Sequence, residues 1–155
     1  MTSRDPEARL QELGLELPEL PPPGGNYVPF KRDGSIAYLS GQGPADQHGH
    51  YPTGKVGADV DLETATAHAR ICGLGLLAAA KAAAGSLAKV EILKVLGMVN
   101  AVPDFKDQPK VINGCSDLFV EVLGERGRHA RSAVGMGSLP NNMTVEIEVV
   151  IKIHD

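Results

Sequence analysis

Residues 89 to 100 read KVEILKVLGMVN, a run with no wet face. Extended, it puts Leu93, Val95 and Val99 on one side and Ile92, Leu96 and Met98 on the other, because side chains alternate along a strand. A strand that is apolar on both sides must be covered on both sides. This segment therefore belongs in the middle of a sheet, and the rest of the chain has to be arranged around it.

The last strand, Thr144 to Ile153, is of a different kind. Val145, Ile147, Val149, Ile151 and Ile153 make a strict alternating stripe, and Thr144, Glu146, Glu148 and Val150 line the opposite face. Nearer the start, NYVPFKRDGSIAYLSGQ holds two β-like runs around Asp33-Gly34, a hairpin dipeptide whose two residues are expected at positive φ. A helix begins after Asp61 as cap, with Glu63 in its first turn, and runs to Gly85. A second helix spans about Pro109 to Gly124, and RGRHARSAVGMGSLP, residues 126 to 140, opens a further strand. The order is ββ-α-β-α-ββ, an α+β sandwich with two helices on one face of a mixed sheet. Helices on one face leave the two-sided middle strand half bare. Homo-oligomerisation through the open sheet face is the economical cover.

Residues 1 to 22 read as an arm packed on the single domain formed by residues 23 to 155. Asp5 can cap a short helix, Pro6 suits its first position and Gly14 can stop it; LPELPPPGG then makes a stiff, extended connector. The start MTSRDPEARL is not expected to act as a secretory signal, and no apolar run is long enough to span a bilayer. Cys72 and Cys115 lie in apolar helical patterns without metal-like spacing, which favours free buried thiols and a cytoplasmic location.

The net charge of −4 and the absence of Trp weigh against a protein that binds nucleic acid by broad phosphate neutralisation and base stacking. Asp46, His48 and His50 in DQHGH resemble part of a metal site, but nothing nearby completes a ligand set, and a solvated loop is the better reading. No metal or cofactor is expected. The glycines at 124, 127, 135 and 137 form no phosphate loop, and Ser40 in SGQ lacks the GxSxG context of a nucleophile elbow. Tyr27, in GGNYVP, fits either turn chemistry or a ligand cleft.

Arg131 is the unusual residue. Arg126 and Arg128 can complement a helix C-terminus, but Arg131 lies several residues into the next element, among Ala130, Ser132, Ala133 and Val134. If its strand pairs with the last strand around SLPNN, Arg131 and Glu146 can share the non-helix face. They would then be either a structural interface ion pair or a guanidinium fork for a substrate carboxylate with a carboxylate that handles a proton or water. Burial would raise the Glu146 pKa and Arg131 would lower it, and the sequence leaves that balance open.

HARSAVGMGSLPNNMTVEIEV, at 129 to 149, resembles the C-terminal signature of the RidA (YjgF) family, in which an ARS-x-V segment and a Leu-Pro turn precede V-x-I/V-E-I-E. GNYVP near the start, LSGQ-x-P at 39 to 44 and VIN-x-x-S-x-L-F at 111 to 119 agree in order, so the resemblance covers about residues 24 to 153. It implies a chorismate-mutase-like fold, a homotrimer with sheets facing inward, and clefts between subunits that take a small carboxylate. It further implies hydrolysis of reactive 2-imino or enamine acids to 2-keto acids and ammonia. The carboxylate-binding arginine of the family falls on Arg131, its water-positioning glutamate on Glu146, and its cleft tyrosine, serine and asparagine on Tyr27, Ser40 and Asn113. Ala133 stands where many members have Cys, a position expected to serve through its backbone. The alternatives are a small-carboxylate binding module without turnover and, third, an endoribonuclease, the label common in this branch.

Overall fold

In a computed structural model, which describes residues 4–155, a five-stranded sheet carries two long helices on one face. The strands are β1 (Phe30–Asp33), β2 (Ile36–Gln42), β3 (Val90–Asn100), β4 (Ala130–Met136) and β5 (Val145–Ile153). Their spatial order is β1-β2-β5-β3-β4, with β3 and β4 parallel and all other neighbours antiparallel. The helices are α1 (Pro6–Glu12), α2 (Leu62–Ala84) and α3 (Gln108–Leu123). The expected order ββ-α-β-α-ββ and the two-layer sandwich are both present.

Local chemistry sets the ends of these elements. Asp61 caps α2 by accepting from the Thr64 N–H at 2.8 Å, and Gly85 closes it in the left-handed conformation at φ 83°. Asp5 caps α1 through Ala8, with Pro6 following. The hairpin differs from expectation by one residue. Asp33 pairs with Ile36, so Gly34 and Ser35 are the central pair, and Gly34 has positive φ. This suits the turn class that needs glycine only in its first central position.

β3 shows a larger difference. Ile92 pairs with Ile151 but Lys94 pairs with Val150, so Leu93 is an extra residue at a bulge. The bulge shifts the alternation by one residue. Ile92 therefore joins Val90, Val95 and Val99 in the buried, helix-facing layer, against the simple alternation read from the sequence. Leu96 and Met98 remain on the open face.

α2 is rich in alanine, and Ala65, Ala69, Ala79 and Ala80 are fully buried. Small side chains let the backbones come close. An ideal Cβ on Gly114 of α3 would lie 2.1 Å from the Thr66 carbonyl oxygen of α2, and one on Gly73 would lie 2.9 Å from Leu118. Gly97 of β3 makes room for Ile112 in the same way. These contacts fix α3 over β3 and β4, which matters for the site. The arm is tied to the same layer: Leu10 is buried, Glu7 accepts from the Leu87 N–H at 2.9 Å, and Leu13, Leu15, Leu17 and Leu20 pack against the core. The connector then leads to Pro21–Pro23 at the opposite end of the sheet. Among the described residues, no helix is long and apolar enough to cross a membrane.

Candidate functional site

A register shift in β2 builds one part of the site. Leu39 pairs with Val149 but Gln42 pairs with Ile147, so Ser40 and Gly41 lie at an irregularity facing β5. The Ser40 hydroxyl donates to the Val28 carbonyl at 2.6 Å, and the Ser40 N–H donates to Pro29. Gly41 leaves space for Glu146: a Cβ there would sit 3.1 Å from its carboxyl carbon. Tyr27 folds back so that its hydroxyl accepts from the Gly24 N–H at 3.3 Å. Tyr27, Ser40 and Glu146 thus converge on a cavity of about 390 Å³ whose other walls include Pro22, Tyr51 and Met143. No Lys or Arg lines it among the described residues.

The Glu146 carboxyl is half-buried. Burial raises its pKa above the usual carboxylate range, and the like charge of Glu148 raises it further. Arg131 does not oppose this shift within the chain. For stability the sign is clear: the folded protein holds this proton more tightly than the unfolded chain, so the shift costs stability as pH rises through the carboxylate range and beyond. Glu146→Gln is therefore expected to raise the melting temperature at pH 7, with the advantage shrinking as pH falls through the raised folded-state pKa and gone below about pH 4, near the unperturbed carboxylate pKa. Thermal melts of both proteins from pH 3.5 to 8 check this, and a constant offset across that range would contradict it.

Arg131 lies elsewhere, which corrects the expectation that it shares a face with Glu146. β4 and β5 are not neighbours, because β3 runs between them. Arg131 pairs with Val95 and so faces the helix layer, whereas Glu146 pairs with Met98 on the open face. A sequential turn does not oblige two strands to pair, and the central place belongs to the strand that needs cover on both sides. The guanidinium reaches α3, donating from Nη1 to the Ser116 hydroxyl at 3.0 Å and from Nη2 to the Pro109 carbonyl at 3.1 Å. Both acceptors are neutral. By contrast, Arg4, Arg9, Arg70 and Arg128 each meet a glutamate. Among the described residues no carboxylate lies within ion-pair distance of Arg131. The intrachain ion pair with Glu146 is thus excluded by geometry.

Asn113 sits on α3 at helical spacing from Pro109 and Ser116, the two residues that hold Arg131, and is exposed. Ala133, two residues beyond Arg131, pairs with Gly97 and packs against the core. The candidate residues therefore form two groups: Tyr27, Ser40 and Glu146 around the cavity, and Arg131, Asn113 and Ala133 at the β4–α3 edge.

Sequence reasoning missed Ser116 and the inward use of His129. His129 Nε2 lies 2.9 Å from the Ser116 hydroxyl and Nδ1 2.6 Å from the Gly127 carbonyl, with the ring edge-on to Phe119. The available signal was the serine at 116, three residues after Asn113 and a fixed position of the VIN-x-x-S-x-L-F segment. Burial lowers the His129 pKa; the Gly127 carbonyl opposes this, and Arg131 adds to it. The DQHGH loop is turn chemistry: Asp46 accepts from the His48 and His50 backbone N–H groups at 2.8 and 2.9 Å. Among the described residues no group of three or more His, Cys, Asp or Glu could hold a metal ion. Cys72 and Cys115 are buried and free, with thiol pKa values pushed up by desolvation.

A family model described as "YjgF/chorismate_mutase-like, putative endoribonuclease" matches residues 7–152. The chain belongs to the YjgF/RidA family. Its fold is the chorismate-mutase-like fold of that family. Among solved structures, protein Atu1372 of unknown function from Agrobacterium tumefaciens is 48% identical, with 96% of this chain and 93% of that one covered at a TM-score of 0.87. A putative endoribonuclease from Shewanella oneidensis is 35% identical, with 97% and 100% covered at a TM-score of 0.92. RidA from an Antarctic Psychrobacter is 29% identical, with 86% and 94% covered at 0.61. The arm from residue 7 onward falls inside the YjgF/RidA match.

Proposed function

We propose that the protein hydrolyses reactive 2-imino or enamine acids to 2-keto acids and ammonia, in clefts shared between copies of a homotrimer. The observation that carries this reading is the division of the candidate residues. One group has a carboxylate in a cavity without a cation, and the other has a half-buried guanidinium without a counter-ion. A neighbouring copy that brings its Arg131 to the cavity completes both. Tyr38 on the open face is 55% exposed and Val134 39% exposed, so apolar surface is available for that contact.

In such a cleft Arg131 binds the substrate carboxylate and leaves the C=N carbon facing Glu146. As carboxylate, Glu146 accepts a proton from water while the water oxygen bonds to carbon and the π pair moves to nitrogen. The same proton then reaches nitrogen to give the carbinolamine. Glu146 next takes the hydroxyl proton and returns it to nitrogen, so that the C–N bond breaks with its pair leaving as ammonia while the oxygen lone pair closes the carbonyl. A raised pKa suits a group that must both take and return a proton near neutrality. The substrates already hydrolyse in water, so acid–base help of about 10²–10⁴-fold suffices.

The test is keto-acid release from imines generated by an amino-acid oxidase, with semicarbazide as competing trap. Acceleration proportional to protein concentration is expected. No acceleration over a broad imine panel, combined with saturable 2-keto acid binding, would favour a binding module without turnover, a reading motivated by Ala133 and the arm. Endoribonuclease activity ranks third. Among the described residues the cavity carries no histidine for acid–base cleavage.

A further inference from the structure

Of Arg131's five N–H donors, the two hydrogen bonds to α3 use one on each terminal nitrogen. Three remain, enough for a bidentate carboxylate. What aims the fork is the identity of the group at its back. The Gly127 carbonyl can only accept, so at 2.6 Å the His129 Nδ1 carries the proton. In the neutral ring Nε2 is then a bare acceptor, and the Ser116 hydroxyl at 2.9 Å must donate to it. With its proton committed to His129, the Ser116 oxygen presents lone pairs to Arg131 Nη1 at 3.0 Å. The hydroxyl would otherwise be free to rotate and to turn its proton toward the guanidinium.

We infer that Ser116 and His129 are positioning residues for the carboxylate anchor, forming a one-way relay from Arg131 through Ser116 and His129 to the Gly127 carbonyl. The groups around the relay are consistent with a neutral ring. α3 contributes Phe119 beside His129, and the only charge that β4 brings to it is Arg131. Gly127 is itself fixed, because a Cβ there would lie 2.2 Å from the Phe119 carbonyl oxygen. Its carbonyl is therefore a stationary end to the relay.

This inference rests on Arg131 being the anchor, and binding of 2-ketobutyrate, measured by calorimetry at pH 7.5, tests the two separately. Wild type is expected to bind and Arg131→Ala is not. Ser116→Ala is expected to weaken binding about 10-fold, with Ser116→Thr, which keeps a hydroxyl, recovering most of it. Loss of one hydrogen bond to a charged group, ~1.5 kcal/mol, corresponds to that factor. Nitrogen-15 spectra of the imidazole should show His129 protonated at Nδ1 and bare at Nε2 in wild type, a signature that a packing role does not require. Equal binding by wild type and Arg131→Ala, or none by either, would overturn the anchor and the relay with it. Binding that needs Arg131 but is unchanged in Ser116→Ala, or a His129 ring protonated at Nε2, would overturn the relay alone.

Discussion

Mixed trimers of Arg131→Ala and Glu146→Gln chains are expected to regain activity that neither variant shows alone. Each variant should lose about 10²-fold or more in kcat/KM. Arg131→Ala removes charge-assisted hydrogen bonds of ~1.5–3 kcal/mol each, and Glu146→Gln removes acid–base help of ~10²–10⁴-fold. Arg131 and Glu146 lie on opposite faces of one sheet, so a site that uses both takes them from different copies. In a ring of three with random 1:1 mixing, a cleft is intact when an arginine-bearing copy meets a glutamate-bearing one in the right order. That recovers about a quarter of wild-type activity in the whole mixture, and about a third in rings that contain both variants, by closed cyclic geometry. Chains co-expressed with different tags and purified on both supply the sample. If the doubly tagged protein stayed as inactive as its parents, the shared cleft would be wrong.

The second large effect concerns the fold. Gly114→Ala is expected to destabilise the protein by more than about 3 kcal/mol, at or beyond the usual range for overpacking. The reason is the partner atom. A Cβ at 114 meets the Thr66 carbonyl oxygen at 2.1 Å, and a helix backbone cannot rotate away as a side-chain tip can. Relief requires α3 to lift off α2, and α3 carries Pro109, Ser116 and the seat of Arg131. Gly137→Ala is the matched control. Nothing lies within 4 Å of its Cβ and its φ is not positive, so its effect should stay within about 0.5 kcal/mol. Urea melts of the two variants compare them directly, and similar midpoints would show that the helix pair has more slack than this contact allows.

The residues that bear on function were legible to different degrees. Tyr27, Ser40 and Glu146 were found through motif resemblance, and the cavity brings them together. Arg131 was conspicuous because a charge that heads a strand needs a partner. The face it was expected to share with Glu146 was the wrong one. Ser116 and His129 escaped notice because each has an ordinary local explanation, one as a helix residue and the other as a neighbour of Arg126 and Arg128 after a helix end.

Sequence alone determined the order of elements, the caps at Asp5 and Asp61, the glycine stop at Gly85 and the buried stripe of β5. These depend on periodicity and on side chain–backbone bonds a few residues apart, which any stretch of chain carries with it. Tertiary structure decided the bulge at Leu93, the register shift at Ser40 and Gly41, and the insertion of β3 between β4 and β5. Strand neighbours are chosen by burial summed over the whole sheet. That choice put Arg131 and Glu146 on opposite faces, and no local pattern records it.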